Sequence, residues 1–128
     1  PYASLVRRGP HADSVVRSCE QWLGEHFRDS DAIQQVLMQI NIPERTLKRR
    51  FKAATGSTLI DYLQNLRVEA AKRLLETGQM PVDEISASVS YEDPSFFRRL
   101  FKRRTGLTPA AYRRMFQPVF DAPITGRN

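Results

Sequence analysis

A chain of 128 residues has room for one small domain, or two very small ones, and excludes a large enzyme. Its 41 % apolar and 27 % charged content excludes a disordered chain, and 20 Lys plus Arg against 14 Asp plus Glu, a net charge of +6, point to a polyanionic partner. The single Cys19 rules out an internal disulfide, His11 and His26 alone make no metal-ligand set, and no apolar run approaches the roughly 18 residues of a membrane span, so a soluble, cytoplasmic protein without metal, cofactor or membrane partner is expected.

Residues 1–12, with two Pro, one Gly and Arg7-Arg8 but no periodicity, read as a linker or arm. The chain starts at Pro1 rather than Met, and a further N-terminal domain is expected. From Asp13 to Phe27 apolar residues recur at helical spacing, which gives the first helix. Ser30 and Asp31 offer N-caps for a short helix to about Ile40, with Asp31 and Gln34 at capping-box spacing. Asn41-Ile42-Pro43 breaks it, since Asn tolerates the left-handed backbone of a tight turn and Pro suits a helix start.

A third helix is predicted over about Glu44 to Ala54, stopped at Gly56. Thr58 to about Glu76 is rich in Leu and Ala, lacks Pro and Gly, and gives the longest helix, about 27 Å at the usual rise. Pro81 opens a short helix to Val89, residues 90–93 turn, Pro94 to Thr105 form another helix, and Thr108 caps a last one beginning at Pro109. The tail after Phe116 holds Pro118, Pro123 and Gly126 and is expected to fray.

Self-similarity organises these elements. Leu47-Lys48-Arg49-Arg50-Phe51-Lys52, then Thr55-Gly56, Thr58 and Tyr62, recurs 50 residues later as Phe97-Arg98-Arg99-Leu100-Phe101-Lys102, then Thr105-Gly106, Thr108 and Tyr112. The expected fold is all-α, about seven helices, with two helix-turn-helix subdomains joined by a long linker helix. Its boundaries fall at 1–12 (arm), 13–57 (first subdomain), 58–77 (linker helix), 78–116 (second subdomain) and 117–128 (tail).

Ten of the twenty Lys and Arg fall in residues 45–52 and 98–104, whereas residues 13–41 carry five acids against two bases. Within the third helix Leu47, Phe51 and Ala54 share one face, and Arg45, Lys48, Arg49 and Lys52 form a stripe at i, i+3, i+4 and i+7 on another. The repeat turns Phe97, Leu100 and Phe101 inward and sets Ser95, Arg98, Arg99 and Lys102 outward. A short helix, a tight turn and a basic amphipathic helix is the geometry that lays a recognition helix in the DNA major groove. Two such units on a rigid 27 Å linker would place their helices about one turn of DNA, roughly 34 Å, apart.

Arg donates well to guanine O6 and N7, so Arg49 and Arg99 are the first candidates for base contact, followed by Arg45, Lys48, Ser95 and Arg98. Lys52, Lys102 and Arg103, nearer the helix C-termini, suit phosphate. A single charged face is ordinarily only a solvated one, but two copies in register favour function. Cys19 and His26 share a helix face without a third orienting group, so they read as packed residues rather than a catalytic dyad. Trp22, Phe27, Phe51, Tyr62, Phe97, Phe101, Tyr112 and Phe116 read mostly as core rather than base-stacking platforms. Thr55-Gly56 and Thr105-Gly106 lack the spacing of a phosphate loop and read as helix stops. Three functions compete: a gene regulator with a defined operator, a non-specific architectural binder, and a small enzyme for which no catalytic constellation exists.

Tyr91, Asp93, Ser95, Phe97, Arg99, Phe101-Lys102, Gly106, Pro109 and Tyr112-Arg113 resemble the signature of AraC/XylS-type transcription regulators. Leu47, Arg50-Phe51, Gly56, Tyr62, Arg67, Ala71 and Leu74-Leu75 extend the resemblance over roughly residues 13–116. It implies two helix-turn-helix units reading asymmetric half-sites of a double-stranded DNA operator in successive major grooves, often with bent DNA. By position, Arg45, Lys48, Arg49, Ser95 and Arg99 match the family's base-contacting sites. Implied partners are RNA polymerase and an N-terminal sensor or dimerisation domain, which residues 1–10 and 43–51 liken to members with an amidotransferase-like domain; the place is the cytoplasm, at the bacterial nucleoid when bound. Departures are Leu37 and Ser86 where Ala is usual in the first helix of each unit, and Asn41 and Ser90 where Gly is usual in the turn. Leu37 is expected to widen the helix packing, and Ser90 to carry strain of about 1 kcal/mol or more.

Overall fold

The Asp13 carboxylate accepts from the backbone N–H groups of Val15 (3.1 Å) and Val16 (3.2 Å) in the computed structural model, which describes residues 13–117. This cap satisfies two donors that a helix start leaves orphaned and opens α1 (Ser14–His26). Arg50 closes a fork on the same carboxylate, Nε to Oδ2 at 2.9 Å and Nη2 to Oδ1 at 2.7 Å, and holds it below the ordinary Asp range. Asp13→Ala should therefore cost about 1 kcal/mol for the lost cap at neutral pH. Because the folded value is depressed, this contribution is full above the unfolded value near 4 and fades as pH falls through the folded one. Urea unfolding should separate Asp13→Ala from the parent at neutral pH and narrow the gap as pH falls below about 4; a gap that does not change with pH would contradict the account.

α2 (Ala32–Ile40) begins after Asp31, whose side chain makes no cap. The expected Asp31–Gln34 box is replaced by a bond from Gln35 Nε2 to Asp31 Oδ1, one residue further along the helix. Asn41 takes the left-handed conformation (φ 60, ψ 44) and donates its N–H to the Leu37 carbonyl, ending α2 in a simple left-handed cap. Pro43 precedes α3 (Glu44–Thr55), which ends at Gly56 (φ 81) with the Gly56 N–H on the Lys52 carbonyl.

α1, α2, α3 and the start of α4 (Leu59–Thr77) enclose a core of Val16, Cys19, Leu23, Ala32, Val36, Leu47, Phe51, Leu59 and Leu63. Leu37 packs half-buried against this core. The rings of Phe51 and Tyr62 meet edge to face at 5.3 Å. This first compact unit ends at Leu66, inside α4, where the second begins at Arg67.

The second unit comprises the remainder of α4, α5 (Val82–Ser88), α6 (Pro94–Thr105) and α7 (Pro109–Phe116). Val68, Ala70, Ala71, Leu75, Ile85, Val89, Phe97, Leu100, Phe101, Pro109 and Tyr112 are among its buried apolar residues. Phe101 lies 5.8 Å from the Phe97 ring and 5.5 Å from the Tyr112 ring. Arg113 of α7 donates to the Met80 carbonyl (2.7 Å) and Gln117, the C-cap of α7, to that of Gly78 (2.9 Å), tying down the loop that precedes α5. Phe116 is 53 % exposed, a correction to its expected place in the core: it sits in the last turn, past the residues that face α6. The other seven aromatics of that group are buried or half-buried.

The repeat holds at the level of single bonds. Thr55 and Thr105 each donate their hydroxyl to the carbonyl four residues back, Phe51 and Phe101, and accept the N–H two residues on. Thr58 and Thr108 then accept from the N–H of Asp61 and Ala111 to start α4 and α7. Both Thr-Gly pairs are thus helix stops, as the sequence suggests.

The inter-helix turns differ. Ser90 is left-handed (φ 74), as expected, but there its N–H donates to the Ala87 carbonyl while the Tyr91 N–H donates to that of Ser86, a Schellman ending rather than the single bond at Asn41. Ser86 is fully buried, and its hydroxyl donates to the Tyr91 carbonyl at 2.6 Å, a bond that Ala cannot make. Ser86 thus fastens the strained turn from beneath. Ser86→Ala should lower the stability of this unit by about 1 kcal/mol, read by urea unfolding, because it leaves a part-buried carbonyl short of a donor. No loss would show that the backbone bonds alone hold the turn.

Candidate nucleic-acid interface

In α3 the apolar residues Leu47 and Phe51 anchor one face in the core, which obliges the intervening positions to face solvent. Arg45, Lys48, Arg49 and Lys52 are all exposed on that outer side. In α6 the inward trio Phe97, Leu100 and Phe101 does the same for Ser95, Arg98, Arg99, Lys102 and Arg103, all exposed. Every residue singled out in the sequence therefore lies on the solvent side of the second helix of its unit. Arg50, in the middle of the first basic run, turns the other way to Asp13.

Ion pairing divides these cations. Lys48 Nζ lies 2.6 Å from Glu44 Oε2 one turn back in α3, and Arg98 Nη2 lies 2.5 Å from Asp83 Oδ1 in α5. No such pair forms at Arg45, Arg49, Lys52, Arg99, Lys102 or Arg103 among the described residues. The Glu44–Lys48 pair is visible in the sequence as an i, i+4 spacing. Asp83 is not: fifteen residues from Arg98, it is brought there only by the packing of α5 on α6.

Asp93 caps α6 by accepting the Ser95 N–H at 3.0 Å, which fixes the first turn and sets the Ser95 hydroxyl outward near the helix start. Within the second unit, Arg67 is buried and its guanidinium lies 5.1 Å from the centre of the Tyr91 ring, which also touches Phe96 and Phe97. This aromatic cluster braces the turn that aims α6.

Chemistry of other kinds finds little to work with among the described residues. Burial and the nearby Glu20 push the Cys19 thiol up to about 12, so its thiolate is inaccessible near neutral pH. His26 stacks on Trp22 at 4.0 Å and its Nδ1 meets the Trp22 carbonyl at 2.9 Å, so it packs with Trp22. Among the described residues no group of three or more His, Cys, Asp or Glu side chains is placed to hold a metal ion, and no helix is long and apolar enough to cross a membrane.

Two helix-turn-helix units, each presenting a basic stripe on its second helix, define the class of DNA-binding regulators. Residues 38–115 match the family model described as a helix-turn-helix domain. The chain belongs to this helix-turn-helix family, of the AraC type. It is 32 % identical over 123 residues to the transcriptional activator RhaR of Yersinia pseudotuberculosis, covering 94 % of the chain and 41 % of that relative. It is 30 % identical over 105 residues to the arabinose operon regulatory protein of Salmonella typhimurium, covering 81 % and 37 %. The chain thus spans about two fifths of the length of the curated relatives it matches.

Among solved structures, the C-terminal domain of AraT, a response regulator from Geobacillus stearothermophilus, superposes with a TM-score of 0.78 at 31 % identity, covering 82 % of this chain and 88 % of that one. The DNA-binding domain of AdpA, a global transcriptional factor in complex with a target DNA, gives a TM-score of 0.77 at 30 % identity, covering 87 % and 100 %.

Proposed function

We propose that the chain is the sequence-reading part of a transcription regulator and lays α3 and α6 in successive major grooves of one operator. The observation that carries this reading is the exposed stripe on α3, Arg45, Lys48, Arg49 and Lys52, with its counterpart Ser95, Arg98, Arg99 and Lys102 on α6. Arg49 and Arg99 take the central base contacts, with Arg45, Lys48, Ser95 and Arg98 beside them. Lys52, Lys102 and Arg103 hold phosphates, supplying affinity and register without sequence information. The arm (1–12), first unit (13–57), linker helix (58–77), second unit (78–116) and tail (117–128) are the working divisions of this reader.

The likeness to a DNA-bound domain and to named activators supports a non-enzymatic regulator of the cytoplasm that acts on RNA polymerase. An additional sensor or dimerisation domain would account for the rest of a protein as long as those relatives. Selection of bound duplexes from a random pool tests the proposal. A defined site should emerge and bind about a thousand-fold or more tighter than its scrambled version. Equal affinity would favour an architectural binder instead.

A further inference from the structure

Resting on the DNA-reading role of α6, we infer that Asp83 is a specificity-determining residue that restrains Arg98 and weakens sequence-blind binding by the second unit. The two side chains are 2.5 Å apart and remain 65 % and 46 % exposed, so the pair stands in solvent beside the reading face. Asp83 and Glu84 both suit the first turn of α5, where negative charge is favoured, and an exposed ion pair adds little to stability; what sets Asp83 apart from Glu84 is its reach to Arg98. Aligned through the left-handed residues Asn41 and Ser90, the position of α2 that corresponds to Asp83 holds the uncharged Gln34, and Lys48, the counterpart of Arg98, pairs within its own helix instead.

The physical consequence follows from charge. Non-specific binding grows with the number of cations free to replace counterions on phosphate, and Asp83 cancels one of the cations of α6 while adding repulsion toward the backbone. A guanidinium carries five N–H donors in a rigid fork, so those not engaged by Asp83 stay available, in a fixed orientation, to a base-edge acceptor. Sequences that offer only phosphate lose attraction, and the site that offers the acceptor loses less. Specificity gained through such a repulsive element is a difference of affinities.

The test compares Asp83→Asn, Glu84→Gln and Arg98→Ala, singly and with D83N added to R98A, in the full 128-residue chain. Glu84 is an exposed neighbour in the same turn, so E84Q makes the same change in net charge without freeing Arg98. Affinities are measured by fluorescence anisotropy on a scrambled and a selected duplex across a salt series. D83N should tighten binding to the scrambled duplex by about three- to ten-fold and steepen the salt slope by about one. It should also narrow the ratio between the two duplexes. E84Q should tighten binding by less than about two-fold, and D83N in the R98A background by no more than that. Equal effects of D83N and E84Q, or an effect that persists in the R98A background, would overturn the role of Asp83. Failure of the DNA-reading proposal looks different: the parent chain would prefer neither duplex, and the scrambled-duplex comparison would still decide whether Asp83 restrains Arg98.

Discussion

Phe101→Ala is expected to destabilise the second unit by about 3 to 5 kcal/mol. Phe101 is fully buried, with the Phe97 and Tyr112 rings at 5.8 and 5.5 Å, and truncation leaves a cavity that those rigid neighbours cannot fill. The loss would not stop at the core. Tyr112 bonds Glu76 through its hydroxyl, so the site of Phe101 is where α6, α7 and the end of α4 are secured together within this unit. Loosening it frees the helix that carries Arg98, Arg99 and Lys102. Urea unfolding followed by circular dichroism should show the full loss, and a change below about 1 kcal/mol would mean that the aromatic cluster is not what holds α6.

Arg49→Ala is expected to cost about 1 to 3 kcal/mol in binding to the selected duplex and to relax preference at one base pair. Arg49 sits in the middle of the α3 stripe, is exposed, and has no carboxylate partner among the described residues, unlike Lys48 beside it. Its guanidinium is therefore free to meet a guanine edge without first breaking an ion pair. Lys102→Ala provides the contrast: as a phosphate contact it should weaken all duplexes alike and reduce the salt slope by about one. A uniform loss from Arg49→Ala would move that residue to the phosphate group.

Much of this architecture is legible in the residues themselves. Helix starts and stops follow from Thr58, Pro94, Thr108-Pro109, Gly56 and Gly106, because caps and left-handed stops are local chemistry that the sequence writes directly. The inward and outward faces of α3 and α6 follow from periodicity. What escapes such a reading depends on through-space packing or on alternatives of nearly equal local energy. The Asp31–Gln34 box gives way because Asp31 accepts from the Gln35 side-chain amide instead of capping a backbone N–H, a competing local bond that spacing alone does not rank.

The 50-residue repeat reads as uniform, yet the left-handed residues Asn41 and Ser90 are 49 apart, so the second turn is one residue longer. That extra residue accompanies the change from a simple left-handed cap to a Schellman ending, which places Ser86 under Tyr91. Sequence alone marks Ser86 as a departure from Ala; only the fold gives its hydroxyl a partner. The same holds for Asp83, whose partner lies on the next helix.

Each unit presents a basic stripe with one cation held in an ion pair, Lys48 by Glu44 and Arg98 by Asp83, and the account predicts two readers on one duplex. A methylation-interference and hydroxyl-radical footprint of the 128-residue chain on its selected site tests this most directly. Two clusters of major-groove contact about 10 base pairs apart should appear, with Arg49→Ala and Arg99→Ala each erasing contacts in a different cluster. A single cluster, or both variants erasing the same contacts, would contradict the two-groove account.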